Sequence, residues 1–167
     1  MKLVEEIKYL VDIDKLKQQK SLAYSNHLFK RMSGISIQHR KNILPPWDSI
    51  DGLESLKIYE NCTEQDFNII HENFKNTELG RIIKDFNLVR SRLMLLKGKT
   101  NYTIHKDISC RLHIPIDTNP DCLFYFPDHN EHFYLEEGKV YKVNTTEKHT
   151  MINGGTDRVH LIGCLYD

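Results

Sequence analysis

From Leu88 to the end of the chain, apolar residues recur at alternate positions, and each run is soon cut short by turn residues. A helix needs apolar residues at three-to-four spacing over a longer stretch, so this pattern specifies short strands instead. The expected strands cover 88–96, 102–116, 122–126, 139–144, 149–152 and 157–165, with turns at Lys97-Gly98-Lys99 and Glu137-Gly138. Strands of this length joined by such turns bury their apolar faces as a sandwich or barrel.

The first half reads differently. Thr63 followed by Asp66 resembles a capping box, with Phe67, Ile70 and Phe74 on one helical face after it. Leu79, Ile82, Ile83 and Phe86 then mark a second short helix, with Arg81 and Lys84 on its other side. Both helices are expected to pack on the sheet. Residues 1–60 read as loops with an edge strand or two, and Pro45-Pro46 fixes an extended turn before Trp47, either a lid or a plug over the core. A chain of 167 residues, 40% of them hydrophobic, suits one domain: 1–87 as a mixed helical and loop support, 88–167 as the barrel core.

Lys+Arg and Asp+Glu are both 23, so the broad positive field expected of a nucleic-acid binder is missing. No apolar run approaches the ~20 residues of a membrane span, and charges interrupt the N-terminal "MKLVEEIKYLVDIDKLKQQK". The expectation is a cytoplasmic protein without membrane or nucleic-acid partners. Cys62, Cys110, Cys122 and Cys164 form no C-x-x-C pair, which fits reduced thiols, with Cys110 and Cys164 as small buried hydrophobes. The N-x-[ST] triplets at Asn61, Asn101 and Asn144 then carry no glycan.

The stretch "YTIHKDISCRLHIPI", residues 102–116, concentrates the chemistry. One alternating set is His105, Asp107, Ser109, Arg111 and His113; the other is apolar apart from Lys106 and Cys110. On one strand the polar set shares a face, and His105 with Asp107 at i and i+2 can hold one metal ion. His149 is the third donor chosen, between two late strands. Two His and a carboxylate on one side of an iron leave the opposite positions open, as in the facial triad of non-haem Fe(II) oxygenases. Arg158 begins the last strand on the same face as His160, and a guanidinium there can grip a dicarboxylate through paired hydrogen bonds, which suggests 2-oxoglutarate. His129 and His132 in "PDHNEH" read as solvated histidines of a loop between strands.

The order H-x-D, R-x-H, E-G-K-V, N-T, H, N-G and R-x-H-L over residues 88–167 resembles the aspartyl/asparaginyl β-hydroxylase-like family of Fe(II)- and 2-oxoglutarate-dependent dioxygenases. The resemblance implies a double-stranded β-helix, a jelly-roll or cupin-like barrel, mainly β with flanking helices. It implies iron ligands His105, Asp107 and His149, an Arg158 that holds the far carboxylate of 2-oxoglutarate, and Arg111 with His113 lining the co-substrate and substrate pocket. It also implies O2 as oxidant, ascorbate as reductant, and hydroxylation of an unactivated C–H in an amino acid or a peptide residue. Family members often add a hydroxyl from the strand before H-x-D; "LMLL" at 93–96 offers none, which leaves Tyr102 or Thr146.

Two rival readings stand beside this one. A metal-binding cupin without oxygen chemistry, an isomerase or ligand-binding module, is favoured by the H-x-x-x-N spacing of His149 and Asn153; H-x-D in place of H-x-H and an idle Arg158 oppose it. A silent barrel that binds partners would not need all three ligand positions. For the substrate, Arg90, Arg92 and Arg111 offer partners to a carboxylate.

Overall fold

The computed structural model describes residues 1–25, 30–31, 33–41, 48–50 and 62–166, so the Pro45-Pro46-Trp47 turn lies outside the described residues. The first half supplies β1 (Val4–Ile7), α1 (Ile13–Ser25), β2 (Lys30–Arg31), β3 (Gly34–Ser36), β4 (Gln38–His39), β5 (Ile69–Ile70), α2 (Glu72–Lys75) and α3 (Glu78–Asp85). The second half supplies β6 (Val89–Leu96), β7 (Thr100–Asn101), β8 (Cys110–Asp117), β9 (Cys122–Phe126), β10 (Glu131–Tyr134), β11 (Val140–Val143), β12 (Thr150–Asn153) and β13 (Arg158–Leu165).

These last strands are shared between two antiparallel sheets. A seven-stranded sheet runs β1-β11-β8-β13-β6-β3-β2, and a four-stranded sheet runs β10-β9-β12-β7. Strands β6, β8, β11 and β13 thus face β7, β9, β10 and β12, the exchange that makes a double-stranded β-helix, or jelly roll. Strands β1 and β2 from the first half form the two edges of the large sheet.

The large sheet is buried on both faces, which decides what each alternate residue does. Outward-facing Leu93, Leu112, Ile114, Ile116, Val159 and Leu161 join one core with Leu16 of α1, Phe74 of α2 and Leu79, Ile82 and Ile83 of α3. The helices therefore cover the apolar face, as the alternation requires. Between the sheets, a second core gathers Leu96, Cys122, Phe124, Phe126, Leu135, Tyr141, Val143 and Met151 at one end. Arg158 and His160 face the same interior, each only 1% exposed. The four cysteines are free thiols.

The elements of the second half lie close to their expected positions, with two corrections there and two more in the first half. The stretch 102–116 is not one strand. Only its second part is β8; His105 makes an isolated bridge with His149, and Ile104 and Ile108 are 55% and 68% exposed. The reason is topological, since the chain crosses here from the small sheet to the large one and no single strand can belong to both. The "PDHNEH" segment is a turn followed by β10, with His129 in the turn and His132 on the strand, both exposed. The helix expected from Thr63 stops after one 3-10 turn, Glu64–Asp66, although the cap forms: Thr63 N donates to Asp66 Oδ2 at 2.6 Å. Beyond it the backbone extends so that Ile69 and Ile70 pair with His39 and Gln38. Helix α1 in the first half was not legible as a helix, because its apolar residues are few and only Leu16 and Ala23 are buried.

Candidate functional site

One cavity of about 220 Å³ opens between the sheets. Its walls include Arg92 and Met94 of β6, Arg111 and His113 of β8, Phe124 of β9 and Arg158 and Ile162 of β13, together with Tyr102, His105, Asp107, Thr145 and His149 from the connecting segments. The expected metal donors His105, Asp107 and His149 and the expected pocket residues Arg111, His113 and Arg158 all line it.

The irregular link between β7 and β8 is held at the rim by backbone bonds. His105 N donates to His149 O at 3.1 Å, His149 N returns a bond to His105 O at 2.9 Å, and Asp107 N donates to Thr145 O at 2.8 Å. These bonds bring two distant segments together, and donor atoms of His105, Asp107 and His149 lie within 4.8 Å of one another. Among the described residues, no other cluster of such side chains has metal-binding spacing.

The imidazoles are set for coordination. His105 Nδ1 lies 2.7 Å from Thr103 O and His149 Nδ1 lies 2.9 Å from Glu147 O. A carbonyl only accepts, so each Nδ1 carries the proton and each Nε2 keeps a lone pair for a ligand bond. His149 Nε2 is 3.9 Å from Asp107 Oδ2, and Phe124 stacks on the His149 ring at 5.3 Å. Burial lowers the His149 pKa and the nearby His105 adds to this, keeping the imidazole neutral as a metal requires. Two imidazoles and a carboxylate are a donor set that suits ferrous iron.

The opposite end of the cavity is built for an anion. Arg158 is buried, its Nε and Nη1 have no hydrogen-bond partner, and its guanidinium carbon lies 5.9 Å from the centre of the Tyr102 ring. The Tyr102 hydroxyl is also buried without a partner. Orphaned donors on facing side chains mark where a ligand's acceptors belong. Of the two hydroxyls considered from sequence, Tyr102 lines the cavity, whereas Thr146 gives its hydroxyl to Asn144 Oδ1 at 2.6 Å. Nearby, His113 Nδ1 and His160 Nδ1 lie 3.4 Å apart, and burial, with Arg158 adding to it, holds both rings far below the usual histidine range.

Arg111 lines the cavity, but its head is held by a residue the sequence reading did not single out. Glu64, 1% exposed, accepts from Arg111 Nη1 at 3.0 Å, Arg90 Nη1 at 3.2 Å, Ser109 Oγ at 2.7 Å and the Tyr166 hydroxyl at 2.8 Å. Burial works to raise the Glu64 carboxyl, yet Arg111 and the other donors hold it down at about 2. Arg111 Nη2 also lies 3.2 Å from Asp107 Oδ1, so Glu64, Arg111 and Asp107 form a chain of alternating charge. Arg90 is not in the cavity. Its backbone is left-handed at φ 54°, the β6–β13 pairing slips beside it, and its side chain is turned to Glu64 instead of following Arg92 inward. Asn153, the other half of the cupin-like spacing, donates to Leu96 O and Thr156 O and so fastens a loop.

No protein-family model and no curated protein matches the sequence. Among solved structures, the chain is similar to a viral collagen prolyl hydroxylase from Paramecium Bursaria Chlorella virus-1. In a truncated form that protein is 10% identical with a TM-score of 0.56, the match covering 99% of this chain and 91% of that one. In its 2-oxoglutarate complex it is 11% identical with a TM-score of 0.52, over 98% and 97% of the two chains. At this identity the likeness establishes the shared jelly-roll fold.

Proposed function

We propose that this chain is an Fe(II)- and 2-oxoglutarate-dependent dioxygenase that hydroxylates an unactivated C–H of an amino acid or peptide residue, releasing succinate and CO2. The observation that carries the reading is the pairing, in one cavity, of a His105–Asp107–His149 donor set with the unpartnered Arg158 and Tyr102 donors. A metal alone would not call for the buried cation, and a cation alone would not call for the donors. The structural neighbour solved with 2-oxoglutarate supports the same chemistry, and the motif order of the aspartyl/asparaginyl β-hydroxylase-like family supports it from the sequence side.

His105, Asp107 and His149 would hold the iron through two imidazoles and a carboxylate. Arg158 and Tyr102 take the far carboxylate of the co-substrate, the guanidinium by paired bonds and the hydroxyl by one more. Iron, 2-oxoglutarate and O2 together supply an oxidant strong enough for an unreactive C–H bond, with ascorbate keeping the metal ferrous. The chain itself positions and seals. Phe124 fixes the His149 ring, Arg111 steers Asp107 while Glu64 neutralises it, and neutral His113 lines the wall without adding charge.

The test is succinate release from 2-oxoglutarate with Fe(II) and ascorbate, in the wild type and in His105→Ala. The reading expects release to depend on metal and on His105. Equal release from both proteins would remove it. Nothing in the geometry favours a cupin without oxygen chemistry, in which Arg158 would remain a buried charge with no task.

A further inference from the structure

We propose that His160 is a positioning residue that fixes the tautomer of His113, so that His113 offers the cavity a neutral N–H donor from Nε2. The two rings stand edge to face on paired strands, His160 on β13 and His113 on β8, with centres 5.7 Å apart and planes at 81°. Their Nδ1 atoms lie 3.4 Å apart. Two nitrogens make a hydrogen bond only when one carries the proton and the other a lone pair. Burial, with Arg158 adding to it, keeps both imidazoles neutral, so each ring has one proton to place on two nitrogens.

Two arrangements satisfy the contact. In the first, His160 donates from Nδ1, its own Nε2 is bare, and the proton of His113 stands on Nε2. In the second, His113 donates from Nδ1, its Nε2 is bare, and the proton of His160 stands on Nε2. Three observations choose the first. His160 Nε2 is buried and has no hydrogen-bond partner among the described residues. An unmet lone pair there is the more tolerated defect, whereas an N–H would be an orphaned buried donor. His113 lines the cavity, and because the two nitrogens of an imidazole point apart, Nδ1 against His160 leaves Nε2 as the nitrogen turned to the cavity. The unpartnered donors of the same cavity, on Arg158 and Tyr102, call for a ligand rich in acceptors, which an N–H on His113 would bind and a lone pair would repel. Phe124 meets His113 at 85° with centres 5.2 Å apart, so the plane of the ring is fixed as well. A neutral donor suits a wall that already carries Arg92, Arg111 and Arg158, since it adds a directed bond without another positive charge. Its acceptor is an oxygen of the bound anion, 2-oxoglutarate on the hydroxylase reading; the placement of the proton does not depend on that reading.

Long-range proton–nitrogen correlation spectra of the full chain, isotope-labelled in histidine and loaded with Zn(II), identify the protonated nitrogen of each ring, with the His113 signals assigned by their loss in His113→Asn. We expect His113 protonated at Nε2 and His160 at Nδ1. In His160→Leu, which fills similar space without a donor, His113 should divide between its tautomers and 2-oxoglutarate affinity, read by calorimetry, should fall about five-fold. In His160→Asn, whose amide N–H takes the place of the ring Nδ1–H, His113 should return to Nε2–H and affinity to within about two-fold of the wild type. A role in packing alone predicts the reverse order, with Leu above Asn. His113 protonated at Nδ1 in the wild type, His160→Leu binding as tightly as the wild type, or His160→Asn binding no better than His160→Leu overturns the proposal. A wild type with His113 protonated at Nε2 that binds no 2-oxoglutarate keeps the proton placement and overturns the hydroxylase reading.

Discussion

Glu64→Gln tests the charge chain behind the site. The wild-type carboxylate is 1% exposed and collects donors from Arg111, Arg90, Ser109 and Tyr166. Its pKa falls from an ordinary 4.5 to about 2, which at 1.36 kcal/mol per unit is about 3 kcal/mol of stability. Removing one partner of a buried ion pair costs about 3–5 kcal/mol by an independent route, so the two estimates agree in scale. Because the folded pKa is the depressed one, this stability is complete above pH 4.5 and is lost as pH falls from there toward 2. Urea unfolding at pH 7 should show Glu64→Gln about 3 kcal/mol less stable than the wild type, with more than half of the gap closed by pH 3. The double variant Glu64→Leu/Arg111→Met should lose less than the sum of its single variants, since the two partners of the Glu64–Arg111 pair leave together and only the contacts of Arg90 to Glu64 and of Asp107 to Arg111 are lost besides. A gap under about 1 kcal/mol at pH 7, or one that persists unchanged to pH 3, would refute the assignment of Glu64 as the counter-charge of Arg111.

Other perturbations report on other parts of the cavity. Arg158→Met should weaken 2-oxoglutarate binding by about 30-fold or more and Tyr102→Phe by about five-fold, the scales of a lost charge-assisted and a lost neutral hydrogen bond, as read by calorimetry on the Zn(II) form. The neutral His113 and His160 have folded pKa values well below 6.5, so the unfolded state binds more protons as pH drops under that value. Stability should then fall by up to about 2.7 kcal/mol per pH unit below 6.5, and His160→Leu should flatten the slope in urea titrations; a wild-type profile level from pH 7 to 5 would count against it. Zn(II) should raise the melting temperature of the wild type and not of His149→Ala, and a chelator should reverse the shift.

What the sequence disclosed follows from which interactions are local. Alternation located the inward and outward faces of β6, β8 and β13, because a strand buried on both sides keeps period two whatever it packs against. The same alternation misled at 102–109, where polar and apolar residues take turns along a link that leaves one sheet for the other and exposes Ile104 and Ile108. The left-handed backbone at Arg90 was equally invisible: Arg90 and Arg92 share a phase in the sequence, and only the slipped register separates them. Glu64 looked like part of a helix start. Its partner Arg111 is 47 positions away, and no local pattern marks an acid as the counter-ion of a distant cation.

The stability of the jelly roll explains why so costly an interior can exist. Outward residues of the large sheet are sealed under α1, α2 and α3, so the fold has one well-filled core that does not include the cavity. Between the sheets, Leu96, Phe124, Phe126 and Met151 fill one part of the space. The rest is lined by Arg92, Arg111, Arg158 and His113, where apolar side chains of similar volume would hold the sheets together more strongly. Stability alone would select those apolar residues. Cations placed on inward positions of three strands, with only Arg111 given a carboxylate partner, instead require that the missing negative charge arrive with what binds there. The co-substrate carboxylate proposed to bind at Arg158 would supply part of that charge.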